Sequence, residues 1–471
     1  MAEITLRNPR TGASDGTLAG DSPDTLSAAA SRLRIGAERW AARPILQRCS
    51  ALDQLADALD RHRDALTEAL LRDTGRWHES VLEVDAAIAT LRRWALEAPS
   101  CLAEPSPRPG NVPFIEVRQR FVPYALVGVI SPWNFPLLLS LIDAVPALAA
   151  GTAVIVKPSE VTSRFVAPLR AALAEVPALS DAFAVVIGDG ALGAALVGQV
   201  DLLCFTGSVR TGRRVGEACA ARFIPAFLEL GGKDPAIVLA GADIERAARA
   251  ICWAGFVNAG QSCMSIERVY VESSIAEPFI AALVRHTAAL KFAHPDPREG
   301  QIGPIIAHSQ IAIVREHLRE AIERGGRALT GGKVIDIDGG SWCPPTVLVD
   351  VPIDAKVISE ESFAAILPVI EVADADHAVR AANDSAFGLS AAVFADSLAT
   401  AERIAARLQA GAVSLNDAAL TSLIHSGEKQ SFKLSGLGGS RMGPASIRRF
   451  VRPQALLVNP GVDDPWWFPA G

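Results

Sequence analysis

Two rhythms of apolar and polar residues divide the chain. Over residues 24–72 and 78–98, apolar residues recur at helical spacing with charged residues between them, which predicts amphipathic helices. Residues 114–122 instead alternate between apolar and polar, with prolines at 113 and 123 on either side. This second pattern is typical of an edge strand or a projecting arm.

From residue 125 onward, short apolar runs are each followed by a turn and a helical segment. The first series is Ala125–Ile130, Ala153–Val156, Phe183–Ile187 and Asp201–Phe205. The second series is Ala236–Leu239, Val269–Val271, Pro368–Val372, Ala391–Phe394 and Ala412–Leu415. Strands that alternate with helices predict a parallel, doubly wound sheet. Two such series in 471 residues predict two α/β domains of comparable size.

Composition and charge narrow the classes of function. Half of the residues are hydrophobic, as in an ordinary globular protein, and the net charge is −7. No basic run of five or more residues occurs, so we expect no nucleic-acid partner. The four arginines between Arg441 and Arg452 are interpreted as a solvated helix face or an interface. Prolines and polar residues interrupt the long apolar stretch 125–156, which therefore predicts buried core and no membrane partner.

The cysteines and the N-terminus indicate a reducing compartment. The seven cysteines are odd in number, form no CxxC pair and are joined by no histidine cluster. We therefore expect neither a disulfide framework nor a metal site. The first ten residues contain no apolar segment of the kind that a signal peptide needs. These features together predict a cytoplasmic protein.

Three polar segments follow predicted strands. Asn134 lies between Pro132 and Pro136 after the strand ending at Ile130, where a rigid side-chain amide is a good donor to a developing oxyanion. Lys157 and Glu160 follow the next strand, and they either grip ribose hydroxyls or form an ordinary surface turn.

The third segment, Phe205–Gly212, places a glycine turn before a predicted helix whose first N–H groups are able to receive a phosphate. Its glycine spacing matches neither a P-loop nor the usual dinucleotide fingerprint.

Cys263 and Glu229 are candidates for a nucleophile and its base. Each lies beside glycines, Gly260 before the cysteine and Gly231-Gly232 after the glutamate. A cysteine attacks as the thiolate and needs a base or another activating group. A free cysteine is nevertheless most often a buried structural thiol, and nothing local shows that the two side chains meet.

The ordered set of these segments resembles the NAD(P)-dependent aldehyde dehydrogenases, and the resemblance covers residues 1–455. The matching motifs are Pro132-Trp-Asn-Phe-Pro136, Lys157-Pro-Ser-Glu160, Phe205-Thr-Gly-Ser208, Glu229-Leu-Gly-Gly232, Gly260-Gln-x-Cys263, Glu361-Ser-Phe363, Asn383–Leu389 and Gly411–Asn416. Each motif alone is weak, but their joint order and spacing are specific to this family.

The resemblance implies a reaction and a set of roles. Cys263 forms a thiohemiacetal with the aldehyde, Asn134 and the Cys263 N–H stabilise the oxyanion, and Glu229 activates the water that hydrolyses the thioester. Lys157 and Glu160 hold the adenosine ribose of NAD, or of NADP. The other cofactor contacts implied are Ile130, Trp133, Ser159, Gly207, Ser208, Leu230, Gly231, Glu361 and Phe363. Because a carboxylate at Glu160 repels a 2′-phosphate, we expect NAD to be preferred.

The family fold supplies the expected domains. It implies a Rossmann-like cofactor domain over 1–112 and 125–231, to which 432–452 returns, and a catalytic domain over 232–431. Residues 113–124 and 453–471 form a small β oligomerisation arm and tail, so a homodimer or homotetramer is expected. We predict that Trp466, Trp467 and Phe468 pack at or beside the subunit interface.

The substrate pocket implied by the resemblance is apolar or small and contains no cation. Its residues are Leu139, Ile142, Ser262, Met264 and Thr421. A neutral aliphatic or aromatic aldehyde fits such a pocket better than a carboxylated semialdehyde.

The sequence departs from the family pattern at three places. Thr152 replaces the usual Asn after Gly151, and we expect this change to have little consequence. Ala364-Ala365 replaces the usual Gly-Pro after Phe363, which puts the placement of the nicotinamide in doubt. Many relatives carry a lysine at the position of Asp143 and a glutamate at that of Arg452, so one hypothesis is that these two pair near the substrate entrance. The alternative is two independent surface charges.

Two other functions stay open. One is a dehydrogenase that passes its acyl group to coenzyme A or phosphate, against which Glu229 argues. The other is a silent structural member of the fold, against which Cys263, Glu229 and Asn134 argue.

Overall fold

A hairpin and four helices form the N-terminal region. The computed structural model describes residues 3–112, 114–461 and 467. The first elements are β1 (Glu3–Arg7), β2 (Ser14–Ala19), α1 (Pro23–Ala42), α2 (Ile45–Arg61), α3 (Arg63–Thr74), α4 (Trp77–Cys101), β3 (Arg108–Pro109) and β4 (Glu116–Pro123). Helix α1 begins where the Ser22 side chain accepts a hydrogen bond from the Thr25 N–H, one residue before Pro23. The predicted amphipathic helices are confirmed.

Five parallel strands and four helices form the first large sheet and its cover. They are β5 (Leu126–Ile130), α5 (Pro136–Ala150), β6 (Ala153–Lys157), α6 (Val166–Ala174), β7 (Phe183–Val185), α7 (Gly190–Val197), β8 (Leu202–Thr206), α8 (Val209–Ala221) and β9 (Ala226–Glu229). The strands lie in the order β9-β8-β5-β6-β7. Alternate residues of a strand enter two separate apolar clusters, one on each face, so both faces are buried.

A second set of elements forms the second large sheet. It comprises β10 (Asp234–Val238), α9 (Ile244–Phe256), β11 (Ile266–Glu272), α10 (Ala276–Ala288), α11 (His308–Glu323), β12 (Arg327–Ala328), β13 (Ile335–Ile337), β14 (Gly340–Trp342), β15 (Thr346–Val349), α12 (Lys356–Ser359), β16 (Ile366–Val372), α13 (Ala375–Asn383), β17 (Phe387–Gly388), β18 (Ser390–Phe394), α14 (Leu398–Ala405) and β19 (Ala412–Leu415). The sheet order is β12-β15-β16-β11-β10-β18-β19, and only β12 runs antiparallel to its neighbour. The predicted doubly wound α/β class is confirmed.

The C-terminal segment returns to both earlier parts of the fold. Its strands are β20 (Phe432–Lys433), β21 (Gly436–Leu437) and β22 (Val451–Val458). Strand β21 pairs with β9 of the first sheet, and β22 pairs with β4 to form a three-stranded antiparallel arm with β3. The domain boundary after residue 231 and a role of the arm in assembly stay predictions.

The aromatic tail lies mostly outside the described residues. Of Trp466, Trp467 and Phe468, only Trp467 is described, and its ring stacks on Phe114 with centroids 5.8 Å apart. Within the ranges that the structure describes, no helix is long and apolar enough to cross a bilayer.

The hypothesis that Asp143 pairs with Arg452 is wrong. Asp143 lies in the buried face of α5, where it accepts hydrogen bonds from Arg441 at 2.7 Å and Arg449 at 2.8 Å. Burial alone raises the pKa of Asp143, but the two guanidinium groups outweigh it and hold this pKa below its usual value. Arg452 is exposed on β22 and lies over the ring of Tyr124.

The solvated helix face expected for 441–452 is also wrong for two of its arginines. Arg441 is 7% exposed and Arg449 is 9% exposed. The segment Pro444–Phe450 is a 3-10 helix, and it packs these side chains inward because Asp143 offers a buried anion.

A buried ion pair fixes the connection between the two large sheets. Lys233, just before β10, lies 2.5 Å from the Glu267 carboxylate on β11, and both side chains are almost fully buried. The same carboxylate accepts the backbone N–H groups of Ser362 at 2.8 Å and Phe363 at 2.9 Å. One pair of charges therefore holds three chain segments together.

We predict that Lys233→Met destabilises the protein by about 3–5 kcal/mol, because it leaves Glu267 buried without its cation. Urea unfolding of the cofactor-free protein measures this loss. Lys356→Met is the matched control, since it breaks an exposed pair with Glu316 and should change stability far less. Equal losses in the two variants would contradict the assignment.

Candidate active site

Several of the predicted residues lie at the carboxyl ends of the first-sheet strands. Ile130 ends β5 directly beside Lys157, which ends β6, and Thr206 ends β8 beside Glu229, which ends β9. Ends of parallel strands meet at one edge of a sheet, where ligands bind in this class of fold. The loop after β5 carries Trp133 and Asn134 to the same edge.

Three further predicted residues lie in the second sheet, in loops that precede the amino ends of its strands. Cys263 precedes β11, and Glu361 with Phe363 precedes β16. A Cβ on Gly232 would lie 2.4 Å from the Cys263 carbonyl oxygen, so the glycine lets these two loops touch. The candidate site is therefore the junction of the two sheets.

The loop that carries Cys263 has an unusual backbone. Asn258, Ala259 and Gly260 have consecutive positive φ angles of 54°, 52° and 72°. Such a run in non-glycine residues is costly and persists only where the surroundings hold it. The buried Gln261 side chain supplies part of that hold, because it donates to Pro304 at 3.1 Å and accepts the Ile306 N–H at 2.9 Å.

Asn134 is tied to the Cys263 loop. Its Nδ2 donates to the Gln261 carbonyl at 3.0 Å, and the residue is 3% exposed. A side-chain amide has two N–H donors, so one stays available to a ligand. Among the residues that the structure describes, the Cys263 N–H has no acceptor either. Two donors for an oxyanion thus stand ready beside the thiol.

A cavity of about 220 Å³ collects most of the predicted cofactor contacts. Its lining comprises Pro132, Trp133, Asn134, Thr206, Gly207, Ser208, Leu230, Gly231, Cys263, Gln310, Ile313, Glu361 and Phe363. The rings of Trp133 and Phe363 meet edge to face with centroids 5.3 Å apart. Flat apolar walls, glycine backbone and a carboxylate are features that fit a nicotinamide riboside.

The predicted adenosine contacts lie outside that cavity. Lys157 is 3% exposed and its ammonium group lies 3.3 Å from Glu160, whose side chain is 43% exposed. Ser159 caps the short 3-10 helix that begins at Glu160. Ser208 caps α8 by accepting a hydrogen bond from the Thr211 N–H. A cofactor phosphate placed beside Ser208 would therefore face the N-terminus of a helix.

Several contacts hold the loop that carries Glu361 and Ala364-Ala365. A Cβ on Gly260 would lie 2.2 Å from the Ala364 carbonyl oxygen, so the two backbones are in direct contact. The Gln310 side chain donates to the Ser362 carbonyl at 2.7 Å, and Phe363 has a φ of 51°. Glu361 itself accepts the Gly232 N–H at 2.9 Å.

Burial is the largest cause of the raised pKa values of Glu361 and Cys263. It raises the pKa of Glu361 to about 8, and the charge of Glu267 adds to this while the Gly232 N–H opposes it. Burial also raises the pKa of the Cys263 thiol to about 12; Lys429 lowers this pKa, whereas Glu361 and Glu229 raise it further. In this state Cys263 is a neutral thiol.

Glu229 has two partners that the sequence did not reveal. Its Oε2 accepts a hydrogen bond from Ser431 at 2.9 Å and lies 3.3 Å from the ammonium group of Lys429. Lys429 is a buried cation near the thiol that the sequence motifs did not indicate: it is 4% exposed, contacts Glu229 and lowers the pKa of Cys263. The absence of a cation from the substrate pocket itself stays a prediction. The local sequence did not indicate that Lys429 is buried, because its neighbours Glu428 and Gln430 are polar residues typical of an exposed segment.

The predicted substrate residues are placed less fully. Leu139 and Ile142 are half-buried on α5, Ser262 and Met264 flank Cys263, and Thr421 is half-buried in a 3-10 helix. The described lining of the cavity includes none of the five, so their contact with substrate stays a prediction. Within the described residues no group of acidic, histidine and cysteine side chains is suited to hold a metal.

Comparison with known proteins identifies relatives across nearly the whole chain. The profile described as "Aldehyde dehydrogenase family" matches residues 2–456. A protein of Mycolicibacterium smegmatis, provisionally named succinate-semialdehyde dehydrogenase (NADP+), is 35% identical over 93% of this chain and 85% of its own. The 4,4'-diapolycopene aldehyde oxidase of a Methylomonas species is 36% identical over 100% of this chain and 88% of its own.

A solved structure is closer still. It is the structure of PutA from Anabaena variabilis, which is provisionally named an aldehyde dehydrogenase. It superposes with a TM-score of 0.97 and 50% sequence identity, and the match covers 99% of this chain and 100% of that one.

We predict that Glu361→Gln raises the melting temperature of the cofactor-free protein at pH 9 but not at pH 5. Because the folded-state pKa of Glu361 is about 8, its neutral form stabilises the fold fully below about pH 4.5, and this contribution is lost as the pH rises through 8. Glutamine stays neutral, so we expect a gain of at least about 2 °C at pH 9. Glu360→Gln, at an exposed neighbour, is the control, and an equal gain there would contradict the prediction.

Proposed function

The chain belongs to the aldehyde dehydrogenase family, and we propose that it oxidises a neutral, hydrophobic aldehyde to the carboxylic acid by a hydrolytic route. The family makes it an NAD(P)+-dependent oxidoreductase. The observation that carries the finer proposal is the convergence of Cys263 and Asn134 on one cavity with Glu361 and Phe363.

Cys263 is proposed as the nucleophile. Its sulfur attacks the aldehyde carbon, the carbonyl π bond breaks, and the oxygen becomes an oxyanion. The Asn134 amide and the Cys263 N–H are the donors for that charge, and such donors contribute about 2.7–4 kcal/mol each in other enzymes. Since the resting thiol is neutral, its proton must leave during attack, and solvent water is able to take it.

NAD(P)+, when bound, supplies the acceptor for the two electrons whose loss turns the thiohemiacetal into a thioester. Trp133 and Phe363 would flank the nicotinamide, and Glu361 would accept hydrogen bonds from its ribose. Lys157 and Glu160 would hold the adenosine ribose, with Ile130, Ser159, Gly207, Ser208, Leu230 and Gly231 completing the contacts. The cavity lining and the strand ends described above support this proposal.

Glu229 is proposed as the base that activates water against the thioester. It lies at the end of β9, and its Oε2 is held by Ser431 while Oε1 has no hydrogen-bond partner among the described residues. Oε1 is then the atom that takes a proton from water. Cleavage of the C–S bond releases the carboxylic acid and leaves Cys263 as the thiolate. The proton held by Glu229 then passes to the Cys263 sulfur, which restores the starting enzyme, and the product acid loses its own proton to solvent.

The proposed substrate is neutral because the one cation found near the thiol is engaged. Lys429 already pairs with Glu229, so it is not free to bind a substrate carboxylate. Leu139, Ile142 and Met264 would line an apolar acyl pocket. Relatives named for succinate semialdehyde and for diapolycopene aldehyde have nearly equal identity, so their names do not choose between charged and uncharged substrates.

The β arm and the free cysteines suggest how the protein assembles and where it works. The arm formed by β3, β4 and β22 exposes Leu456 and Leu457, and we infer that it joins subunits of a homodimer or homotetramer. A cytoplasmic location fits the free cysteines, none of which is paired in the described chain.

The proposed roles predict different defects for the two key residues. Cys263→Ser should abolish NADH formation. Glu229→Gln should still produce close to one NADH per active site in a rapid first turnover and then slow by about 10²-fold or more, because only hydrolysis needs the base. Stopped-flow absorbance with a panel of aldehydes measures both, and the panel ranks chain length and charge. If the parent enzyme turns over rapidly only when coenzyme A is added, it is an acylating enzyme instead.

Glu160 is expected to set the cofactor preference. We predict that Glu160→Gln shifts the ratio of kcat/KM for NADP+ over NAD+ upward by about tenfold, ~1.4 kcal/mol, because it removes an anion beside the 2′-position. Glu3→Gln is the matched control, since Glu3 is an exposed acid lining the same outer groove as Glu160. An unchanged ratio in Glu160→Gln would reject this role.

A further inference from the structure

Lys429 is an inward-facing lysine on an otherwise exposed segment. It is 4% exposed, whereas Glu428 and Gln430 on either side are exposed. Burying an ammonium group is costly unless anions or hydrogen-bond acceptors surround it. The position of this lysine therefore has to be explained by what its ammonium group contacts.

The ammonium group contacts the carboxylate of Glu229. Nζ lies 3.3 Å from Glu229 Oε2 and 3.4 Å from Ser431 Oγ, while Ser431 Oγ itself donates to the same Oε2 at 2.9 Å. Two donors therefore engage one oxygen of the carboxylate. The second oxygen, Oε1, is left for another ligand.

The segment that carries Lys429 is fixed to the sheet that carries Glu229. The Lys429 N–H donates to Ser440 Oγ at 2.9 Å, and the Leu230 N–H donates to the Ser435 carbonyl at 2.8 Å. Strand β21 then pairs with β9 at Gly436 and Glu229. These hydrogen bonds and the strand pairing thus set the register of the lysine against the carboxylate.

We propose that Lys429 is a positioning residue that holds Glu229 in the orientation for hydrolysis, fixing Oε2 so that Oε1 faces the thioester. This inference rests on the proposed role of Glu229 as the hydrolytic base. The lysine contacts the base and not the substrate, so its effect reaches the reaction through Glu229.

Other charges near the site do not replace this contact. Arg441 is close enough to feel the charge of Glu229, but its guanidinium group bonds to Asp143 and Thr206. Cys263 is the remaining titratable group that faces Glu229. Removing the ammonium group leaves a carboxylate whose side chain is 11% exposed with Ser431 as its remaining direct partner.

The test compares Lys429→Met, Lys429→Arg and the matched control Lys433→Met. Lys433 lies in the same segment but is exposed, and its ammonium group contacts backbone carbonyls of Asn383 and Ser385 instead of Glu229. Stopped-flow kinetics of the full-length protein with NAD+ and a substrate from the aldehyde panel give the first-turnover amplitude, kcat and KM. Hydroxylamine is then added, because it cleaves thioesters without a protein base.

Lys429→Met should keep a first-turnover amplitude close to one NADH per site and an aldehyde KM within about threefold of the parent. Its kcat should fall by about tenfold or more, since hydrolysis loses a positioned base. Hydroxylamine should accelerate this variant more than the parent. Lys429→Arg should recover most of the loss, and Lys433→Met should stay within about twofold of the parent.

The outcomes separate the two levels of the proposal. A purely structural role for Lys429 predicts equal loss of first-turnover amplitude and kcat, no effect of hydroxylamine, and a lower melting temperature, and this result overturns the inference. A kcat in Lys429→Met equal to that of the parent enzyme would also overturn the inference. If Glu229→Gln itself turns over at the parental rate, the proposed function of Glu229 fails as well. If Glu229→Gln stalls after one turnover and Lys429→Met does not, only the role of Lys429 is rejected.

Discussion

Two charges with almost no access to water, Lys233 and Glu267, meet at 2.5 Å in the connection between the two large sheets. Each would be costly to bury alone, and the pair is brought together by β10 and β11, which are neighbours in the second sheet. The glutamate also accepts the N–H groups of Ser362 and Phe363, and thereby fixes the loop that presents Glu361 to the cavity. The geometry of the proposed cofactor site is thus set by a contact that does not itself face the cofactor.

The site that this contact organises is rich in carboxylates. Glu361, Glu229 and Asp234 all raise the pKa of Cys263, and Lys429 is the cation that opposes them. The same burial gives Glu361 a pKa of about 8. A raised thiol pKa favours the neutral form of Cys263, which is less reactive than the thiolate. Reactivity then depends on what enters the site.

The fold class and the chain positions of many strands in the two large sheets could be predicted from the sequence. The reason is that short apolar runs that alternate with helical segments are compatible with few other folds. The short strands β9, β12 and β15 were missed, because their few residues carry no distinct period. Cys263, Asn134 and Glu361 were found through motifs, and the structure brings them to one cavity. Lys429 and the partners of Asp143 were not predictable, since charge pairs distant in sequence leave no local pattern.

The C-terminal segment rejoins the first sheet through the two-residue strand β21. So short a pairing is among the contacts that open at low free-energy cost, while the strands of both sheets remain protected. Opening it would carry Lys429 and Ser431 away from Glu229 without unfolding either sheet. Catalytic competence and global stability are therefore separate quantities in this chain, and gentle heating should silence turnover before far-ultraviolet circular dichroism registers any loss of structure.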